Sequence, residues 1–267
     1  MSERVDISRS GPVATVTLTR PDKRNALDLS MIKGIVAAGE GLQEDKTLRA
    51  VILQGDGPAF SAGLDTGAFQ TIIAEAAKSG GVTARTHGTA NIFQQAAMVW
   101  SDLPVPVIAA VHGFAFGGAF QIMLGADIRI ATPDCRFAIM EGKWGLIPDM
   151  GGMVLMPRLA RSDVIRRLTY TAEEFGAHQA LEWGFVTELD DDPQARAAKL
   201  AEQIAARSPE TVRAAKALIS ETERMPDPAE ILMRESVVQE TLIGSPNQIE
   251  AVIAGLEKRQ PTFKDPK

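Results

Sequence analysis

Three short stretches of the chain hold the residue types that proton and anion chemistry need. The first is Phe60-Ser61-Ala62-Gly63-Leu64-Asp65, the second runs from His112-Gly113 through Phe116-Gly117-Gly118 to Gln121, and the third joins Glu141 to Asp149-Met150-Gly151-Gly152. Glycines let a backbone approach a ligand closely, and a helix opening at Gly117-Gly118 aims unpaired N–H groups and its positive dipole end at a developing anion. A pair of such donors makes an oxyanion hole; the same glycines also read as two tight strand-to-helix turns. Glu141 follows the apolar Phe137-Ala138-Ile139-Met140, where desolvation raises a carboxyl toward the range of a general acid or base. Taken alone, its default reading is a solvated or salt-bridged loop carboxylate. Asp149 lies between Pro148 and a helix expected to start near Gly151, so it is either that helix's N-cap or a catalytic group.

The elements that must hold these stretches follow from the apolar pattern. Ala14, Val16 and Leu18 alternate with Thr15, Thr17 and Thr19, and with Arg4 to Ser8 and the turn Ser10-Gly11-Pro12 they predict an N-terminal hairpin. A helix follows from about Ser30, its expected cap, with Ile32, Ile35 and Val36 on one face. Buried strands are expected at Ala50-Val51-Ile52-Leu53, from Val105 to Val111 and from Asp127 to Ala131, separated by helices, which is the pattern of a parallel α/β sheet joined by crossovers. Residues 66–100 predict two helices, in which Ile72, Ile73, Phe93, Met98 and Trp100 line an apolar pocket or pack the core; Ser79-Gly80-Gly81 lies between them. The last third is helical: Ala197, Leu200, Ala201 and Ile204, then Ile249, Val252, Ile253 and Leu256, repeat at helical spacing, with Pro209, Pro226, Pro228 and Pro246 near helix starts.

Composition narrows the function classes. The 267 residues carry 28 Lys and Arg against 34 Asp and Glu, a net charge of −6, which supplies no footprint for nucleic acid or an anionic membrane. The apolar runs are interrupted before membrane-spanning length, and the opening Met1-Ser2-Glu3-Arg4 lacks the core of a signal peptide, so a cytoplasmic location is expected. Cys135 is the single cysteine and the three histidines, His87, His112 and His178, are scattered, so neither a disulfide nor a metal site is expected. His112 reads as a hydrogen-bonded structural residue and Cys135 as inert. No nucleotide-cofactor fingerprint is present.

The order and content of the three stretches resemble the crotonase superfamily, the enoyl-CoA hydratase and isomerase family. The resemblance begins at Pro21-Asp22-Lys23-Arg24-Asn25-Ala26-Leu27, continues through residues 60–65, 104–127 and 141–152, and ends in a helical tail with Gly255-Leu256-Glu257-Lys258-Arg259 and Phe263. It implies an α/β fold, a crotonase-like spiral of ββα units over residues 1–195 with a helical C-terminal region over 196–267 that drives assembly into a homotrimer or homohexamer. The implied substrate is an acyl-CoA thioester, with coenzyme A as part of the substrate and no further cofactor.

The resemblance also implies roles. The backbone N–H groups of Leu64 and Gly118 match the family's oxyanion hole, and Glu141 matches the glutamate that moves protons at the substrate's α or β carbon. Lys23, Arg24, Ala26, Ala62 and Asp65 match the segments bordering the CoA moiety, although Lys23 and Arg24 read equally as solvated loop charges; Gly117, Gln121 and Phe263 complete the expected substrate contacts. Gln121 departs from the two-glutamate hydratases, because an amide can orient a water but cannot accept its proton. Double-bond isomerisation is therefore expected slightly ahead of hydration. Asp149 matches an aspartate that works opposite the glutamate in one isomerase branch. Thioester hydrolysis, C–C bond cleavage and a non-catalytic CoA-binding or scaffold role are the alternatives.

Overall fold

The computed structural model describes residues 4–78, 80–223 and 225–266; Met1, Ser2, Glu3 and Ser79 lie outside the described residues, as does the side chain of Ile73. In chain order the elements are β1 (Val5–Ser10), β2 (Val13–Leu18), α1 (Leu29–Gln43), β3 (Ala50–Gly55), α2 (Phe69–Lys78), α3 (Ile92–Asp102), β4 (Val107–Val111), β5 (Phe114–Phe116), α4 (Gly118–Leu124), β6 (Ile128–Ala131), β7 (Arg136–Ala138), α5 (Gly152–Leu155), α6 (Ser162–Thr171), β8 (Glu174–Gly176), α7 (Ala177–Trp183) and β9 (Glu188–Leu189). Four helices close the chain: α8 (Pro193–Ala205), α9 (Pro209–Thr222), α10 (Pro228–Leu242) and α11 (Pro246–Glu257), each with proline at its first position, where the missing N–H costs nothing.

The predicted hairpin is present: β1 pairs antiparallel with β2, and Ala14, Val16 and Leu18 are fully buried, as their alternation requires. From β2 onward the pairing is parallel, giving a six-stranded sheet in the order β1-β2-β3-β4-β6-β9. Both faces of its central strands are covered, which is why they read as unbroken apolar runs rather than alternating ones. Val51, Leu53, Val107, Ala109 and Val111 join the main core, while Ala50, Ile52, Ile108, Ala110 and Ile130 pack on the other face against Ala197 and Ala201 of α8. A second sheet, β5-β7-β8, did not announce itself in the sequence, its strands being three residues long. It explains the winding: β4 and β6 enter the large sheet, and the next strands, β5 and β7, enter the small one, so the chain spirals in ββα turns.

One expected cap moves. The N-cap of α1 is Asp28, whose carboxylate accepts from Met31 N–H at 2.8 Å, and Ser30 is already inside the helix. Ile32, Ile35 and Val36 are buried on the predicted face. At the far end, α10 buries no residue, and the stripe Ile249, Val252, Ile253 and Leu256 on α11 is exposed in the single chain. No helix of the described residues is long and apolar enough to cross a membrane.

Candidate active site

Parallel strands put their C-terminal ends at one edge of the sheet, where ligands bind in α/β folds. The loops leaving the neighbouring strands β3 and β4 carry the first two stretches, so sequence segments some fifty residues apart meet there. Phe60 N–H donates to His112 O (2.9 Å), Ser61 N–H to Phe114 O (3.1 Å) and Phe116 N–H to Ser61 O (3.3 Å). At Gly63, φ is +80° and a Cβ would stand 2.3 Å from the Phe116 carbonyl oxygen, so only glycine permits this approach.

The donors flanking Leu64 and Gly118 are spent within the protein. Gly63 N–H donates to Ser61 Oγ (3.2 Å), Asp65 N–H to Leu27 O (3.0 Å) and Gly117 N–H to Ala138 O (2.9 Å). Among the described residues, neither Leu64 N–H nor Gly118 N–H has a protein acceptor, and Gly118 opens α4 after Gly117, which offers no side-chain cap. Two unspent donors thus stand on abutting backbones.

A buried framework that the sequence reading did not assign to the site sets this geometry. Asn25 is fully buried with φ +54°; its amide donates to Asp56 O (2.8 Å) and Ala59 O (2.9 Å) and accepts from Arg20 N–H (2.8 Å). Ser61 Oγ donates to Asn25 O at 2.7 Å. The signal available was an asparagine between Arg24 and Ala26 in a turn, a residue that tolerates left-handed backbone. Arg20 reaches Asp65 at 2.7 Å and Ala26 O at 3.1 Å, and its hydrogen bond holds the Asp65 carboxyl below the usual carboxylate range. Lys23 and Arg24 are exposed, Ala26 is buried and Ala62 half-buried, with Ala62 N–H on Arg24 O at 2.9 Å. These residues form one lip beside Leu64. Phe263 does not join it: it lines a hollow with Pro12, Thr47 and Arg49, at the N-terminal ends of β2 and β3.

Glu141 starts a short 3-10 turn, Glu141–Trp144, after β7. Its Oε1 accepts from Gln121 Nε2 at 2.6 Å, whereas Oε2 is buried without a hydrogen-bond partner. Burial raises its carboxyl above the ordinary range, and the nearby Asp149 charge adds to the rise, against the pull of backbone amides and Gln121. A Cβ on Gly117 would lie 3.5 Å from Glu141 Oε1, so the carboxyl stands beside the residue that precedes the Gly118 donor. The apolar wall is sulfur-rich: a Cβ on Gly118 would meet Met150 Sδ at 2.5 Å, and one on Gly151 would meet Met98 Sδ at 3.3 Å.

Two expectations are corrected here. Asp149 is not the N-cap of α5; that position is Gly151, at φ +93°, with no side-chain cap. Asp149 is exposed, its charge acts on Glu141, and the desolvation it does experience raises its own carboxyl. Gln121 does not face substrate as a free amide. It is 1% exposed, and its Oε1 accepts from both Met150 N–H (2.8 Å) and Gly152 N–H (2.9 Å). Both lone pairs of that oxygen are used, so it cannot also accept a hydrogen bond from a water.

Elsewhere, His112 bonds Gly57 O (2.8 Å) and the Gln194 amide (3.2 Å), a structural role as expected. Burial pushes the Cys135 thiol up to about 12. Among the described residues, no group of three or more His, Cys, Asp or Glu could hold a metal ion.

This combination of spiral fold and paired donors beside a buried carboxylate defines a crotonase-type acyl-CoA-processing enzyme, and comparison with known proteins bears out that class. The family model for enoyl-CoA hydratase/isomerase matches residues 8–266. A carnitinyl-CoA dehydratase of Salmonella enteritidis is 33% identical over 272 residues, covering 99% of each chain. Among solved structures, an enoyl-CoA hydratase from Bacillus anthracis superposes with a TM-score of 0.89 at 28% identity, covering 98% of this chain and 99% of that one. An enoyl-CoA hydratase from Mycobacterium tuberculosis gives 0.84 at 28% identity, covering 98% of each. The chain belongs to the enoyl-CoA hydratase/isomerase family of the crotonase superfamily.

Proposed function

We propose that the chain moves protons at the α-carbon of an enoyl-CoA thioester and, as its leading reaction, shifts a carbon–carbon double bond. The carrying observation is Glu141 Oε2, a buried oxygen with no hydrogen-bond partner, on a carboxyl that burial raises and whose other oxygen stands beside Gly117. The Glu141 carboxylate takes an α-proton from a 3-enoyl-CoA, and the released electron pair spreads into the thioester carbonyl and the double bond. The N–H groups of Leu64 and Gly118 hold the oxygen that becomes negative, each worth roughly 10²–10³ in rate. Return of the proton from Glu141 to the γ-carbon gives the 2-enoyl-CoA, with no atom gained or lost.

Hydration, or dehydration in reverse, is the second reading. The names of the similar Salmonella and Bacillus proteins favour it. The buried neutral amide of Gln121 weighs against it, because that position supplies no second proton acceptor for water. Asp149, exposed and with a raised carboxyl, is proposed as a second proton carrier opposite Glu141. The lip of Lys23, Arg24, Ala26, Ala62 and Asp65 borders the CoA moiety, and coenzyme A enters only as part of the substrate. The exposed apolar stripe of α11 and the unburied α10 support assembly through residues 196–267 into a homotrimer or a dimer of trimers. A single cysteine fits a reducing compartment, and the cytoplasm is the proposed location. Phe263, remote from its own chain's site, then serves substrate only across a subunit boundary. The deciding experiment incubates the protein with 2-enoyl-CoA and 3-enoyl-CoA of several lengths and identifies products by mass and chromatography. An isobaric shift lost in Glu141→Gln supports the leading reading, and a product heavier by one water supports the second.

A further inference from the structure

We propose that Gln121 is a positioning residue that locks the Glu141 carboxyl in one orientation and ties it to the 149–152 turn, leaving Oε2 as the one oxygen free to take the substrate proton. The inference rests on the proton-transfer reading above. Gln121 lies one helical turn inside α4 from Gly118, so the helix that supplies the oxyanion donor also carries the group that holds the base. The amide orientation is fixed by its surroundings: Oε1 faces the N–H groups of Met150 and Gly152, and reversing the amide would set donors against both. Nε2 is therefore directed at Glu141 Oε1, at 2.6 Å. Gly152 makes room for the arrangement, because a Cβ there would stand 2.7 Å from Gln121 Oε1 and 3.0 Å from Cδ and Cγ.

In this chain the position holds a neutral side chain that uses one acceptor and one donor. A glutamate would keep the acceptor for Met150 and Gly152 but would turn its second oxygen toward Glu141 Oε1, where two like charges cannot both persist. A methionine would fill the space and offer neither group. The charged group acting on Glu141 is Asp149, which pushes its carboxyl further up. Lys143, on the same turn, lies over the Trp144 ring. From α6, packed against the turn, Arg166 bonds Ser162 and Tyr170, Arg167 pairs with Glu173, and Arg161 pairs with Asp163. Gln121 is thus the side chain that donates to the base, and it pulls the Glu141 carboxyl down against burial.

The test compares wild type, Gln121→Met and Gln121→Glu in two measurements. One is the pH profile of kcat/KM with a 3-enoyl-CoA; the other is a ¹³C-carboxyl NMR titration of Glu141, assigned with Glu141→Gln. The acid limb and the Glu141 titration move up in the order wild type, Gln121→Met, Gln121→Glu, the last by about 3 pH units for facing carboxylates ~4 Å apart at an effective dielectric near 20. In Gln121→Met, kcat falls by roughly 10–100-fold for a base shifted by about 1 Å, with KM within about threefold of wild type. A purely structural role would lower activity equally at every pH, so an unmoved limb and unmoved titration in folded Gln121→Glu overturn the proposal. If instead Glu141→Gln turns over like wild type, the proton-transfer reading fails, and the NMR titration still decides whether Gln121 holds the carboxyl.

Discussion

Replacing Gly63 by alanine tests the paired-donor geometry through a backbone contact rather than through either donor. The new Cβ would sit 2.3 Å from the Phe116 carbonyl oxygen, and Cβ atoms are essentially never found closer than 3.0 Å, so the two backbones must part by at least 0.7 Å. Alanine at φ +80° adds a conformational penalty of about 1–2 kcal/mol. The separation opens directly between the segments that carry Leu64 and Gly118, whose N–H groups the proposed reaction brings onto a single oxygen. Hydrogen bonds lengthened by about 0.7 Å from about 2.9 Å fall outside useful range, so at least one donor is lost. The expected result is a fall in kcat of about 10²–10³-fold. Ground-state binding of an acyl-CoA thioether, which lacks the carbonyl, changes little. The assay is steady-state turnover of enoyl-CoA with thermal unfolding and thioether binding measured in parallel. A folded Gly63→Ala protein that keeps kcat within about threefold of wild type would refute the reasoning that these abutting backbones form the oxyanion site.

Further outcomes follow from the charges. Glu141→Gln abolishes proton transfer, lowering turnover by roughly 10²–10⁴-fold, yet stabilises the fold at neutral pH because it removes a desolvated charge. Since the folded carboxyl is raised above its unfolded value, its ionisation penalty is fully present above the folded pKa and fades as pH falls toward the ordinary carboxylate range. The thermal-unfolding advantage of Glu141→Gln should shrink over that window, and an advantage independent of pH would contradict the assignment. Asp149→Asn removes the charge that pushes Glu141 up, so the acid limb of kcat/KM should move to lower pH; full turnover on every active substrate would exclude a paired mechanism. Cys135, buried with its thiol pushed up to about 12, should resist iodoacetamide at pH 8 in the native protein and react after unfolding, as followed by mass spectrometry.

What the sequence made legible were features whose cause is local. Alternation on β2 placed Ala14, Val16 and Leu18 inside, and the apolar runs at β3, β4 and β6 marked strands covered on both faces. The glycines at 63, 117 and 118 lay where the chain needs left-handed or close-packed backbone. Less legible was anything fixed by partners distant in sequence. The cap expected at Ser30 falls to Asp28, whose carboxylate reaches Met31 N–H. Asp149 looked like a cap because it precedes α5, but Gln121, from another helix, accepts from the Met150 and Gly152 N–H groups. The sense of Gln121 itself was invisible, since a residue type does not reveal whether its amide faces substrate or protein. The stripe on α11 was correct as a pattern, and the single chain leaves it exposed because helical spacing defines a face without naming what covers it.

The most direct test of the central claim is exchange of the α-proton of a saturated acyl-CoA in D₂O, followed by NMR or mass, in wild type and Glu141→Gln. Such a substrate cannot isomerise or add water, so the signal isolates enolate formation. Wild type is expected to incorporate deuterium at the α-carbon, and Glu141→Gln to lose that incorporation. Incorporation at an undiminished rate in folded Glu141→Gln would contradict the assignment of Glu141 as the group that moves the proton.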